Sequence, residues 1–204
     1  MNFMERLFIL FLLIFGREAF ASPSRSSLLI LEDVAVKFED IIERNLGDHE
    51  LVVLFESHDP KVNAELTKSG NVLSIRVWGG MLNHRLMNSD TLLLLLCHEI
   101  GHYLGGPPTK SRGGWSSTEG QADYYSAYKC ARDVGFEEVV FYDSALALTR
   151  IYGSVTMSSG PDLDRCDTNV VNRTIFGYPT VQCRLDTLIA GWKMLPRPQC
   201  WFSQ

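Results

Sequence analysis

The chain lacks an excess of positive charge, a C-x-x-C pair and any internal repeat or low-complexity segment. Nucleic-acid-binding domains are usually basic, so a formal net charge of -5 argues against that class. Without C-x-x-C spacing, neither a thioredoxin-like redox motif nor a cysteine zinc site is expected. The 204 residues are 46% hydrophobic, which predicts one globular domain with a sizeable core.

The first 21 residues predict a secretory signal peptide. A charged start is followed by the apolar run L-F-I-L-F-L-L-I-F and by Ala19-Phe20-Ala21, the small-x-small pattern of a cleavage site. The run is too short and wrongly flanked for a stable membrane span, and no cysteine follows the cleavage site as in a lipoprotein. We expect an exported protein, periplasmic or secreted, with a single domain over residues 22–204. An uncleaved amino-terminal anchor is the alternative.

Export would place all five cysteines in an oxidising compartment, where disulfides persist. Because five is an odd number, at least one thiol stays free or pairs between chains. Cys97 lies inside an apolar run and is predicted to be the free one, since a buried free cysteine behaves as a small hydrophobe. The others are expected to form two bridges of unspecified pairing: Cys130, Cys166, Cys183 and Cys200.

Hydrophobic periodicity predicts an α+β fold, mostly helical, with a small sheet. Helices are predicted over residues 26–45, 89–104, 118–135, 136–152 and 179–192, and strands over 51–55 and 72–78. Ser89 or Asp90 is expected to cap the second helix, and Thr118 with Gln121 to form a capping box at the third. Residues 158–177 are predicted to be irregular.

Two histidines and a glutamate end an apolar run, L-L-L-L-L-C-H-E-I-G-H, from Leu92 to His102. Desolvating ionisable groups is costly unless they have partners. His98 and His102 are four residues apart, so on a helix their imidazoles share one face and can meet one metal ion. Glu99 is offset around the helix and can reach a metal-bound water without ligating the ion. Gly101 has no side chain, so another backbone can approach the helix there.

A catalytic zinc site commonly has three protein ligands and a water. Pro108 stands where the metzincin pattern H-E-x-x-H-x-x-G-x-x-H has its third histidine, which excludes that arrangement. Glu119 and Asp123 open the next predicted helix, again four apart. Glu119 is the predicted third ligand of one Zn²⁺ ion, and Asp123 would accept a hydrogen bond from the outer nitrogen of a ligating histidine. Glu137 and Glu138 remain alternative ligands.

H-E-I-G-H followed by E-G-Q-A-D resembles the gluzincin zinc metallopeptidases, most of all the M48 type, in which the glutamate of E-x-x-x-D is the third ligand. The stretch from Gly70 to Leu82 is similar to the strand that lines their substrate cleft. The stretch from Tyr178 to Leu188 is similar to their late H-P-x-x-x-x-R segment, with Tyr178 in place of the histidine. The resemblance implies a zincin-type domain and a peptide or protein substrate.

In the mechanism that this implies, Zn²⁺ lowers the pKa of its bound water, and Glu99 takes the proton and passes it to the leaving amine. Four residues are candidate oxyanion donors: Tyr103, Tyr124, Tyr178 and Arg184. The alternating strand 72–78 could pair with an extended peptide at its edge. Arg184 and Asp186 are otherwise expected to form a surface pair or a helix-packing contact.

The sequence leaves two rival interpretations. The chain could be an exported zinc-stabilised binding protein that kept the site and lost turnover. A weaker alternative is a scaffold without a metal. Retention of Glu99, the predicted base, favours the peptidase over the binding protein.

Overall fold

The computed structural model describes Val34, Phe38 and residues 45–203. The predicted signal peptide lies outside the described residues. So does most of the predicted helix 26–45, of which Val34, Phe38 and Asn45 are helical. The described part is a mixed α+β fold, as predicted. None of its helices combines the length and apolar character that crossing a membrane requires.

The helices and strands follow one another in a simple order. The strands are β1 (Glu50–Glu56), β2 (Ala64–Ser69) and β3 (Val72–Trp78). The helices are α1 (Gly79–Leu82), α2 (Ser89–Leu104), α3 (Glu119–Tyr125), a π-helical turn (Ser126–Cys130), α4 (Ala131–Asp133), α5 (Glu138–Thr156) and α6 (Val181–Trp192). The irregular segment predicted over 158–177 is confirmed.

The three strands form one sheet in the order β1-β3-β2, with β1 parallel and β2 antiparallel to β3. Leu73, Ile75 and Val77 alternate along β3 and are fully buried, which explains why that strand was predictable. β2 was not predicted, because its sequence A-E-L-T-K-S is mostly polar. β3 is the central strand, so the expectation that a peptide could pair with its edge is wrong.

Helix α2 runs through the core and packs against β2, β3, α3 and α5. Every residue from Leu92 to Leu96 is buried, because neighbours surround the helix on all sides. Neither Ser89 nor Asp90 caps it, contrary to prediction. The side chain of Asn88 accepts a hydrogen bond from the Thr91 amide at 2.8 Å. The helix ends at Leu104, with Gly105 as its C-cap and Gly106 next in the left-handed region.

Helix α3 begins at Glu119, one residue after Thr118, as predicted. The predicted capping box is wrong, because the Thr118 side chain makes no capping hydrogen bond. Gln121 instead donates from Nε2 to the carbonyl of Gly105 at 2.7 Å. This bond ties the start of α3 to the end of α2 and so helps to fix how the two helices lie together.

Two disulfides are present, and they correct the prediction for cysteine. Cys97 is not free, since it is bonded to Cys130 and links α2 to the π-helical turn. Cys183 is bonded to Cys200, and the free thiol is the exposed Cys166. The pairing of Cys97 was missed because it depends on helices that are distant in sequence. Two disulfides are typical of proteins in oxidising compartments.

Helix α6 begins after Thr180, whose hydroxyl accepts a hydrogen bond from the Cys183 amide at 3.1 Å. The predicted helix over 179–192 included Pro179 in its first turn, but Pro179 lies just before this cap. One face of α6 is buried against α3 and α5, and Arg184 belongs to that face. The helix thereby brings a cation to His98 of α2, whose Nδ1 lies 3.5 Å from a terminal nitrogen of Arg184.

Candidate metal centre

His98 and His102 project from one face of α2 into the same small space. Their ring centroids are 4.8 Å apart, and their exposed fractions are 3% and 5%. The spacing of four residues places both rings on this face, because an α-helix turns once in 3.6 residues.

Helix α3 approaches α2 at Gly101. A Cβ atom on Gly101 would lie 2.8 Å from the backbone oxygen of Ala122, so only glycine permits this approach. The approach brings Glu119 to the imidazoles: its Oε2 lies 3.4 Å from Nε2 of His98, and its Oε1 lies 3.5 Å from Nε2 of His102. The structure therefore groups the three residues that the sequence predicted as ligands.

The donor set and its spacing fit a zinc ion. Zinc is bound at about 2.0–2.2 Å by imidazole nitrogens and carboxylate oxygens, so tetrahedral ligand atoms lie roughly 3.4 Å apart. The two nitrogen–oxygen distances match that separation. One ligand atom each from His98, His102 and Glu119 lies within 4.8 Å of the others. The group could thus hold a metal ion.

The outer nitrogens of both imidazoles have partners. Nδ1 of His98 lies 2.8 Å from Oδ1 of Asp123, the contact that the sequence predicted. Nδ1 of His102 lies 2.8 Å from the carbonyl oxygen of Ser117. Each partner is an acceptor, so each Nδ1 carries the hydrogen, and each Nε2 faces Glu119 as the nitrogen that a metal ion could bind. Such bonds fix the tautomer and orientation of metal-ligating histidines.

Arg184 holds Asp123 through two parallel hydrogen bonds. Its Nε lies 2.7 Å from Oδ2 and its terminal nitrogen 2.8 Å from Oδ1. The guanidinium carbon lies 3.9 Å from the ring centroid of Tyr152. The expectation of a surface pair with Asp186 is wrong, because Arg184 is buried and Asp186 accepts hydrogen bonds from Asp167 and Gln182. The buried Arg184 is therefore the ion-pair partner of Asp123, the carboxylate that contacts His98.

Lys110 is a further cation at the site, from the loop between α2 and α3. Its Nζ lies 2.8 Å from Oε1 of Glu119, and 42% of its side chain is exposed. The sequence did not predict this contact. Lys110 stands in a polar, glycine-rich loop whose path the sequence does not specify, so no local pattern indicated it.

The buried charges shift the titration of the group. Burial lowers the pKa of His98, but the neighbouring Asp123 outweighs burial and raises this pKa to about 9. Burial and the proximity of His98 lower the pKa of His102 to about 4. Burial opposes ionisation of Glu119, but His98, Arg184 and His102 hold its pKa well below the usual range. Perturbed groups gathered in a cleft are typical of functional sites.

Glu99 follows His98 on α2 and lines the same cavity without joining the ligand group. Its exposed fraction is 4%, and burial raises its pKa to about 7. A carboxylate with a pKa near neutrality can both accept and release a proton at physiological pH. Its placement beside the ligands is the one that the sequence predicted for a base.

A cavity of about 480 Å³ opens onto the group. Residues from Val62 to Leu66, at the start of β2, form one wall, and Val155 and Val181 contribute apolar surface from α5 and α6. β2 is an edge strand, so its outer backbone groups are not paired within the sheet. The strand beside the cavity is therefore β2, not the predicted β3.

Two of the four candidate oxyanion donors lie away from the cavity. The hydroxyl of Tyr103 contacts His49, and that of Tyr124 donates to the Leu195 carbonyl. Arg184 and Tyr178 both line the cavity, but the guanidinium of Arg184 is bound to Asp123. Tyr178 stands at the cavity with 76% of its surface exposed.

The alternative ligands Glu137 and Glu138 are exposed, and they are outside the group formed by His98, His102 and Glu119. Tyr152 is half-buried and packs against Arg184 at the cavity wall, although no sequence pattern singled it out. Comparisons with protein-family models, with curated proteins and with solved structures find no significant match, so the chemistry of this site rests on its own residues.

Proposed function

We propose that this chain is an exported, zinc-dependent endopeptidase of the gluzincin type. The observation that carries the proposal is the convergence of His98, His102 and Glu119 at zinc-ligand spacing beside the buried carboxylate of Glu99. Two histidines four apart on a helix, with an intervening glutamate, are the arrangement of a zinc peptidase. The two disulfides support export.

When bound, a zinc ion supplies a Lewis acid that polarises a carbonyl and acidifies a coordinated water. His98, His102 and Glu119 would hold the ion, while the contacts of Asp123 and the Ser117 carbonyl with the outer nitrogens favour the tautomer that this requires. Glu99 accepts the proton of the attacking water and delivers it to the leaving amine. Tyr178 is the candidate that donates a hydrogen bond to the developing oxyanion.

The cavity suits an extended peptide. The unpaired edge of β2 offers backbone donors and acceptors to a substrate strand, and the apolar wall beside it can take a hydrophobic side chain. The start of β2 and Glu99 line the same cavity, so a substrate paired with β2 would enter the cavity that holds Glu99. This supports hydrolysis inside a chain as the reaction, and a protein or peptide as the substrate class.

A Glu99→Gln variant tests the proposal. Gln cannot accept the proton but keeps the size of Glu, so we expect zinc to bind as in the wild type and peptide-library hydrolysis to fall to background. Glu138→Gln, on an exposed position of α5, is the matched control and should remain active. Equal activity of wild type and Glu99→Gln would refute the mechanism.

Metal content separates the remaining interpretations. Protein purified without chelator should contain about one zinc ion per chain by elemental analysis. Zinc with no hydrolysis across a broad library would favour the exported zinc-stabilised binding protein. Absence of bound metal after incubation with zinc would leave a scaffold without a metal.

A further inference from the structure

The indole of Trp201 lies on the backbone of Gly120. A Cβ atom on Gly120 would stand 2.3 Å from the Cδ2 atom of Trp201, so the ring occupies the space of a side chain. Gly120 directly follows Glu119, the proposed third ligand. Trp201 is fully buried, and its ring therefore packs directly against the first turn of α3.

The segment that carries Trp201 is fastened at several points. Cys200 is bonded to Cys183 on α6, and Cys183 directly precedes Arg184. The carbonyl of Trp201 accepts a hydrogen bond from the Ile175 amide at 2.8 Å. The indole ring of Trp201 thus contacts α3 at Gly120, and the guanidinium of Arg184 contacts the same helix at Asp123.

Trp201 belongs to a small hydrophobic cluster separate from the main core. The cluster contains Cys183, Cys200 and Trp201, with Ile175 and Phe202 against it. Within the described part of the chain, the buried indole N–H of Trp201 has no hydrogen-bond partner, although buried indoles usually have one. What the structure shows at this position is the indole ring packed against Gly120.

We propose that Trp201 is a positioning residue for the metal site, which sets the backbone at Gly120 and thereby the place of the Glu119 carboxylate. The inference rests on the proposed zinc site and extends it to the carboxyl-terminal segment. Loss of the ring lets the first turn of α3 shift, so Glu119 no longer stands at ligand distance from both imidazoles. The disulfide Cys183–Cys200 keeps the ring in place.

The test compares zinc affinity and ligand geometry in Trp201→Leu, Trp201→Phe and the wild type. Zinc affinity is measured by competition with a chromophoric chelator, and geometry by the visible absorption of the cobalt-substituted protein. We expect Trp201→Leu to bind zinc at least ten times more weakly, with an altered cobalt spectrum. Trp201→Phe keeps a flat ring and should restore affinity to within about threefold, because the indole N–H is unpaired.

Phe141→Leu is the matched control, since it removes a buried ring that packs on Phe136, Tyr142 and Trp192. Its zinc affinity and cobalt spectrum should equal those of the wild type even if its thermal stability falls. Gly120→Ala is the second variant, for the case in which Trp201→Leu does not fold. Its Cβ collides with the ring, so it should also bind zinc more weakly, although alanine favours a helix.

Unchanged zinc affinity and an unchanged cobalt spectrum in folded Trp201→Leu and Gly120→Ala would overturn the inference. A loss in Phe141→Leu as large as that in Trp201→Leu would also overturn it, because the effect would then follow general stability. Failure of the wild type to bind zinc or cobalt is a different result, which removes the metal site and the inference together.

Discussion

The backbone of Ala122 lies against Gly101 so closely that a methyl group on Gly101 would stand 2.8 Å from the Ala122 carbonyl oxygen. This contact sets the separation of the two helices that carry the candidate ligands. Gly153, on α5, has no atom closer than 3.7 Å to the equivalent Cβ position. Both glycines are buried in helices, but a Cβ atom would fit at Gly153 and would collide with a backbone at Gly101.

We expect Gly101→Ala to destabilise the fold by about 1–3 kcal/mol, because the helices must move apart, and to weaken zinc binding. Gly153→Ala should instead be neutral or stabilising by roughly 1 kcal/mol or less, since alanine is the better helix former. Denaturant unfolding of the apo proteins and zinc titration check both. A Gly101→Ala protein with wild-type stability would contradict the close approach.

Asp123→Asn should weaken zinc binding roughly 10- to 100-fold, because the amide is a poorer acceptor for the His98 imidazole. It also removes the carboxylate that neutralises buried Arg184, so the folded state should lose stability. Asp186→Asn is the control, as that carboxylate lies on α6 and bonds to Asp167 and Gln182. Zinc titration and thermal unfolding of both variants give the comparison, and equal zinc affinities would argue against the role of Asp123.

Lys110→Met should bind zinc more tightly than the wild type, by up to roughly tenfold. The ammonium group of Lys110 competes for an oxygen of Glu119 and repels a dication, but its half-exposed position limits the effect. Lys129→Met is the matched control, since Lys129 pairs with Asp133 on the next turn, away from the candidate ligands. Chelator competition at low ionic strength measures the difference. Weaker zinc binding by Lys110→Met would show that the lysine supports Glu119 instead of competing for it.

Replacement of both Cys97 and Cys130 by alanine should lower the free energy of unfolding by about 3–4 kcal/mol, because the unfolded chain regains the freedom of a loop with a sequence separation of 33. Cys166→Ala should leave stability unchanged, since that thiol is free and exposed. Denaturant unfolding under non-reducing conditions measures both variants. A marked loss of stability in Cys166→Ala would indicate a pairing different from the one described.

Helix geometry made the core of the site predictable. His98 and His102 are four residues apart, so they share one face wherever their segment is helical. The same holds for Glu119 and Asp123. The sequence also predicted that another backbone can approach at Gly101, and α3 contacts α2 there. These are local patterns, and local patterns can be recognised without knowing the fold.

Long-range contacts could not be predicted in the same way. Cys97 pairs with Cys130, and Arg184 with Asp123, because of how the helices pack. No sequence motif near these residues indicates which partner each one has. β2 is a strand because β3 pairs with it, although its own residues are mostly polar. The loop that brings Lys110 to Glu119 likewise takes its path from the ends of α2 and α3.

The disulfide between Cys97 and Cys130 joins the neighbour of His98 directly to the turn that continues α3. The two halves of the candidate ligand set are therefore tethered to each other by a covalent bond as well as by packing. If a bound ion dissociates, the disulfide keeps the ligand residues of both helices close enough together to bind another ion. We expect the protein to lose and rebind its metal ion repeatedly while it stays folded. Small metal-dependent domains, in contrast, unfold when the metal is removed.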